Sequence, residues 1–268
     1  MSSGLLGAAL FAVACISASA HGPLSESIAA VSAEIARDPN RIELYLSRAR
    51  LHLQHDDWPA AHADLDRVAV SAPGAAVDLL RGEVFLKSAD FARAGKVFTE
   101  LVGREPRSVA GHSGLARVQF AIGEFEAAAR SFARAAGVSE QPDPMLFVSQ
   151  SSAFEKAGRT ADAIAALDAG MRKLGPLVTL ANPAIELELS TGRTDAAVAR
   201  IDALLAGQPR KEAWLVRRAE ILQKAGRTAD ARVSWEQARS AFATLPEFRQ
   251  NTPQMVELRS RIDAALAK

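Results

Sequence analysis

Cysteine is almost absent from this chain of 268 residues, which has only Cys15. A single thiol rules out internal disulfides and multi-cysteine metal sites. Charge of one sign is also lacking. The 32 basic and 31 acidic residues leave a net +1, so there is no field of the kind that holds a phosphate backbone, and nucleic acid is excluded as an expected partner. Aromatic residues are scarce at 6%, with one tyrosine; the abundance of alanine and leucine suits packed helices better than β-sheet. P-loop, dinucleotide-binding glycine and HExxH patterns are missing. What is present, 49% hydrophobic and 24% charged residues, is enough to bury a core, and an all-α fold is expected.

Basic residues are missing from the N-terminus too, Arg37 being the first Lys or Arg. The apolar run Leu5 to Ile16 covers 12 residues, short of the ~20 that a membrane-crossing helix needs. It is followed by Ala18-Ser19-Ala20, a small-x-small ending that fits a signal peptide at 1–20, cleaved after Ala20. Export to the periplasm or the medium follows, with no thiol in the mature chain and His21 at its start. The alternative is a membrane-anchored lipoprotein, because Ala12-Val13-Ala14-Cys15 loosely resembles a lipobox and makes Cys15 a site of lipid attachment.

The phrase KAGRTADA occurs word for word at 156–163 and 224–231, and a partial copy, STGRTDAA at 190–197, stands midway. Aligned on the glycine, an alanine recurs at a near-constant interval, at Ala61, Ala94, Ala128, Ala163, Ala197 and Ala231. Four places later comes a bulky apolar side chain: Leu65, Phe98, Phe132, Leu167, Ile201 and Trp235. Pairs at i, i+4 share a helical face. Twelve positions before each alanine is a second site, Ala49, Gly82, Ala116, Ser151, Ile185 and Ala219, small in all but one case. Small side chains let two helix axes approach closely. Each unit therefore reads as a helix hairpin with a glycine C-cap at its turn in four of the six, and Pro73, Pro106 and Pro209 mark joints between units. The glycine closes one helix, the threonine caps or enters the next, and the phrase carries shape.

This pattern resembles the tetratricopeptide repeat, a helix-turn-helix of about 34 residues. The resemblance covers 39–242 in six repeats. Repeat three, with Leu115-Ala116, Gly123, Phe125, Ala128, Phe132 and Ala135, fits best. It implies a right-handed superhelical solenoid of antiparallel helix pairs. Its ends read as a leading helix within 21–38, with Leu24, Ile28, Val31 and Ile35 on one face, and a C-terminal capping helix within 243–268 begun by Thr252-Pro253. In repeat five, Asn182-Pro183 reads as an N-cap followed by proline at the first helical position, which shortens that helix.

Candidate chemistry is thin. GHSG at 111–114 resembles a nucleophile elbow but lacks its final glycine and opens a helix. His52, His55 and His62 cluster in the first repeat and offer a weak alternative as metal ligands, without a recognised ligand spacing. No cofactor and no catalysis are expected. The family resemblance implies instead a concave groove, lined by the first helices, that receives a peptide or helix of another protein. Carried onto this sequence, the groove comprises Leu46, Arg50, Leu53 and Gln54, then Leu79, Glu83, Leu86 and Lys87, then Ser113, Arg117 and Phe120. Val148, Ser152, Lys156, Glu186, Arg217 and Glu220 follow from the last three repeats. The first reading is an envelope adaptor working through this groove; the second is a lipid-anchored structural component of an envelope assembly; the third is a metal-binding protein. The leucines of repeats one and two are also placed to bury against the leading helix, were it to fold into the groove.

Overall fold

The structure, a computed structural model, describes residues 22–207 and 209–267. The calls on the signal peptide, Cys15 and His21 fall outside them. Fifteen α-helices and no strand are found among the described residues, so the all-α architecture of paired helices is what the chain adopts. They form two compact units, divided between Ser88 and Ala89.

The N-terminal unit holds α1 (Pro23–Arg37), α2 (Ile42–Gln54), α3 (Trp58–Ser71) and α4 (Ala75–Lys87). Its core joins Ile35 of α1 to Leu44, Tyr45 and Ala49 of α2, Ala61, Leu65 and Val68 of α3, and Val77, Leu80 and Val84 of α4. The C-terminal unit holds α5 (Phe91–Arg104), α6 (Val109–Ala121), α7 (Phe125–Val138), α8 (Pro144–Lys156), α9 (Thr160–Leu174), α10 (Val178–Ser190), α11 (Thr194–Gly207), α12 (Glu212–Lys224) and α13 (Thr228–Ala243). The short α14 (Glu247–Gln250) and the terminal α15 (Pro253–Leu266) complete it. The recurring alanines are sealed, from Ala61 at 0% exposed to Ala231 at 2%, as are the bulky residues four places on. Helix crossings this close admit no added volume. Gly114, the last residue of GHSG, lies inside α6 where a Cβ would overlap the Phe98 ring, and at Gly170 a Cβ would stand 2.8 Å from Phe147. The glycines of GHSG are thus accounted for by packing.

Each of the six hairpin turns contains one residue in the left-handed region. Four are glycines (Gly123, Gly158, Gly192, Gly226), and the first two repeats use Asp56 and Ala89, both at φ 59°. The residue after each glycine donates back to the carbonyl five positions earlier, as in Arg159 N–H to Phe154 O at 2.8 Å, which ends the first helix as a Schellman turn. The threonine of KAGRTADA enters the next helix as its first residue; the N-cap position is the arginine, whose side chain makes no capping bond.

That arginine does something that spacing alone did not reveal. Arg159 pairs with Asp162 three residues on (2.7 Å) and reaches Glu126 of the preceding repeat (3.1 Å); Arg227 pairs with Asp230 (2.8 Å) and reaches Asp195 (2.5 Å). The hydrogen bond to Asp162, supported by Glu126, raises the pKa of Arg159, and that to Asp230 raises the pKa of Arg227. In the partial copy both acids are missing: Ala196 stands three residues after Arg193, and Ala161 occupies the place of Glu126 or Asp195.

One expectation is overturned. α10 does not start at Pro183. It begins at Val178, spans 13 residues, and carries Pro183 inside it. Leu180 and Ala181, at 0% and 1% exposed, belong to the core, and burying them holds the first turn helical despite the amide that proline cannot supply to the Thr179 carbonyl.

Candidate functional site

In the N-terminal unit α1 settles the question of the leucines. Arg48 donates from Nη1 to Ser32 Oγ at 3.0 Å, His55 Nε2 is 3.3 Å from Ser25 Oγ, and Arg41 meets Glu34 at 3.7 Å. Arg48 and the two residues that cap α2, Arg41 and His55, form one row facing α1. At about 100° per residue, Leu46, Arg50 and Leu53 lie roughly 160° around the helix from Arg48. The leading helix therefore packs behind α2 as a preceding repeat's second helix would, and leaves the groove row alone. Leu46 and Leu53 are half-buried and Arg50 is exposed. The neighbouring first helix α4, which packs against α2, presents Leu79, Glu83 and Leu86, all half-buried, and an exposed Lys87.

In the C-terminal unit the expected groove residues divide into two situations. Between α6 and α8 they line an open cleft of about 340 Å³: Arg117 and Phe120 on one wall, Val148, Ser149 and Ser152 on the other, and Phe132 of α7 beneath. The Phe120 ring is fixed edge-on against Phe125, centroids 5.3 Å apart. Lys156 is exposed at the end of α8 and makes no ion pair among the described residues. Further along, the row is cross-linked by its own charges. Arg217 lies over the Trp214 ring at 5.6 Å and donates to Asn182 Oδ1 at 2.7 Å and to Glu186 at 2.5 Å. Glu220 accepts from Arg261 of α15. Arg217 and Glu220 are thus engaged within the chain, while Phe120 and Val148 border open space.

The alternative that gathers three histidines around a metal is corrected. His52 Nδ1 is buried, 3.6 Å from Asp57 Oδ2 and without a hydrogen-bond partner; His55 turns to Ser25; the His62 ring packs on Phe85 at 4.4 Å. The three side chains point to three different neighbours, and among the described residues no three His, Cys, Asp or Glu side chains converge.

Sequence reasoning missed a set of charged junctions behind the groove. Arg48 holds Asp64 with two bonds, at 2.8 and 2.6 Å; Asp64 strengthens its charge and raises its pKa. Arg218 bonds Asp202 (2.8 Å) and Ser234 (2.6 Å). In repeat five the roles are reversed. Arg200 projects from the second helix and donates twice to Glu188, which is 1% exposed, at 2.8 Å each, and once to Asp168 at 2.7 Å. Burial opposes the charge of Arg200, but the bonds to Glu188 and Asp168 outweigh it and raise its pKa. A signal was available: in repeats one, two and six an arginine (Arg48, Arg81, Arg218) stands immediately before the small residue at the helix crossing.

Comparison with known proteins agrees with this geometry. A family model described as Tetratricopeptide repeat matches residues 46–109, 79–144, 114–176 and 184–244, well over half of the chain. No curated protein matches the sequence. Among solved structures, the C-terminal part of a TPR repeat-containing protein from Cytophaga hutchinsonii is 14% identical with a TM-score of 0.61, over 88% of this chain and 94% of that one. A tetratricopeptide repeat protein from Parabacteroides merdae is 12% identical with a TM-score of 0.52, over 90% and 92%. The pilF protein of Pseudomonas aeruginosa is 13% identical with a TM-score of 0.52, over 82% and 96%. At these identities the likeness is one of fold. No helix among the described residues is long and apolar enough to cross a membrane.

Proposed function

Because the chain belongs to the tetratricopeptide-repeat family, whose repeats make scaffolds for protein–protein interaction, we propose that it is a non-catalytic adaptor that receives a peptide or helix of another protein on its first helices, at the cleft between α6 and α8. One observation carries this reading: in the C-terminal unit the apolar groove residues Phe120 and Val148, with Phe132 beneath them, border open, largely apolar space, while Glu186, Arg217 and Glu220 of repeats five and six are bonded to one another or to α15. An apolar side chain of the partner fits over Phe120, Phe132 and Val148, and the hydroxyls of Ser149 and Ser152 are placed to meet its backbone. The leucines of α2 and α4 supply a second apolar stretch in the N-terminal unit.

The proposal includes an envelope location, on the strength of the signal-like segment 1–20, with a lipid anchor at Cys15 as the second reading because of the lipobox-like residues before it. The mature N-terminal mass separates the two: a free His21 supports export as a released protein, a lipid-modified Cys15 supports anchoring. The binding proposal is tested by crosslinked capture from native envelopes with the tagged chain, beside a Phe120→Glu, Val148→Glu variant that keeps its helical circular dichroism. Partners held by the parent and lost by the variant are expected; recovery of the same proteins by both overturns the reading.

A further inference from the structure

A second and larger cleft, of about 540 Å³, opens on the side of repeats four and five formed by their second helices, between α9, α10 and α11. Its α11 wall is a bare row of alanines, Ala196, Ala199 and Ala203, at the i, i+3, i+7 spacing of one helical face. Met171 and Leu204 extend the apolar lining. In the other five repeats at least one of the three corresponding positions is charged: Arg67, Lys96, Arg130, Asp162 and Asp230 are examples. Only here does the outer face of a second helix offer an uncharged row to a neighbour.

The charges of this cleft are unequal in their commitments. Its acids are satisfied from within, since Asp168 and Glu188 both accept from Arg200. Two of its three cations are not. Arg172, in the last turn of α9, and Arg193, just ahead of α11, are exposed, line the cleft, and make no ion pair among the described residues. Arg193 is the one turn arginine of the three that has lost both acids: Arg159 and Arg227 are each held by an aspartate three residues on and by an acid of the preceding repeat, where Arg193 meets Ala196 and Ala161. The substitutions that free this arginine also supply the first alanine of the row beside it.

We propose that this cleft docks an acidic amphipathic helix of a partner protein, with small apolar side chains on the alanine row and carboxylates toward its two ends, meeting Arg172 and Arg193. A helix is the fitting occupant for two reasons. The alanine row runs for about two turns along α11 and permits close approach of another helix axis. The walls are themselves helices with their backbone groups already paired, so an extended peptide gains no main-chain hydrogen bonds here. Two unpaired arginines beside acids that are already neutralised select negative charge. The proposal concerns a face other than the α6–α8 cleft and does not depend on it.

The test is fluorescence anisotropy of the full chain with a short labelled helix carrying leucine and alanine on one face and glutamate on the other, compared with the same peptide bearing lysine in place of glutamate. Saturable binding of the acidic helix is expected, stronger than that of the lysine helix by about tenfold or more. Ala199→Trp, which fills the trough, and Arg172→Glu with Arg193→Glu each weaken it to a similar extent, the charge-reversed pair now preferring the lysine helix. Circular dichroism checks that each variant is folded. Equal binding of the two helices, or no saturable binding, overturns the proposal. So does loss of binding in Phe120→Glu but not in Ala199→Trp, which places the helix in the α6–α8 cleft. Sedimentation with phosphatidylglycerol vesicles that depends on the two arginines, without peptide binding, overturns it in favour of a lipid surface.

Discussion

Replacing Arg200 by methionine leaves the Glu188 carboxylate at 1% exposure, with its two bonds of 2.8 Å removed and almost no access for solvent to replace them. Breaking a buried ion pair from one side costs about 3–5 kcal/mol. The lower end applies here, about 3 kcal/mol, because the Arg200 side chain retains 15% exposure and Asp168, at 35%, turns to solvent. Glu188→Leu is milder, about 1–2 kcal/mol, since Arg200 keeps Asp168 and some contact with solvent. The double variant removes both charges and puts apolar groups of similar size in the gap, so its cost falls to within about 1 kcal/mol of the parent. The coupling between the two sites is therefore about 3–5 kcal/mol. Urea denaturation followed by far-ultraviolet circular dichroism measures the four proteins. Because a repeat array unfolds through nearest-neighbour units, amide exchange should place the loss in α9 to α11. A single-variant cost under about 1 kcal/mol, or a double variant as unstable as the sum of the singles, refutes the claim that this junction is a closed ion network.

Three further outcomes follow from packing and backbone. Gly114→Ala should lose about 1–3 kcal/mol through collision with Phe98, and Phe98→Leu in the same chain should recover part of it; an unchanged melting temperature counts against the tight crossing. Pro183→Ala should raise stability by about 1–3 kcal/mol by restoring an amide inside α10, and a lowered melting temperature would mean that the helix does need its proline. Ala89→Gly relieves a left-handed alanine at φ 59° and should add about 1 kcal/mol in thermal unfolding; a loss of stability would show that the turn is not strained.

The rows of the helix crossings were readable because they depend on one period. An alanine once in every repeat, with a bulky neighbour four places later, has only one comfortable arrangement, and Ala61, Leu65, Ala197 and Ile201 are all at 0% exposure. The start of α10 was misread because local proline chemistry was weighed without the burial of Leu180 and Ala181, a tertiary gain that outweighs it. The register placed Arg117 and Phe120 beside Val148 and Ser152, but it could not reveal that Arg217 closes on Asn182 and Glu186 two repeats further on. Nor could it show the Arg200 junction, whose partners lie 12 and 32 residues away: periodicity tells which face a side chain occupies, and not which charge on the next repeat it will find there.

The turn arginines give the array a grain coarser than its repeat. Glu126 and Asp195 belong to repeats three and five, Arg159 and Arg227 to repeats four and six, so from repeat three to repeat six this edge is built in blocks of two, and its turn ion pairs recur after a pair of repeats, not a single one. Excising repeat five alone would set Arg227 against Ala161 and lose the bond. Excising repeats four and five together would set Arg227 against Glu126 and restore it. Within repeats three to six, a change of length keeps these bonds only when it is made in even steps.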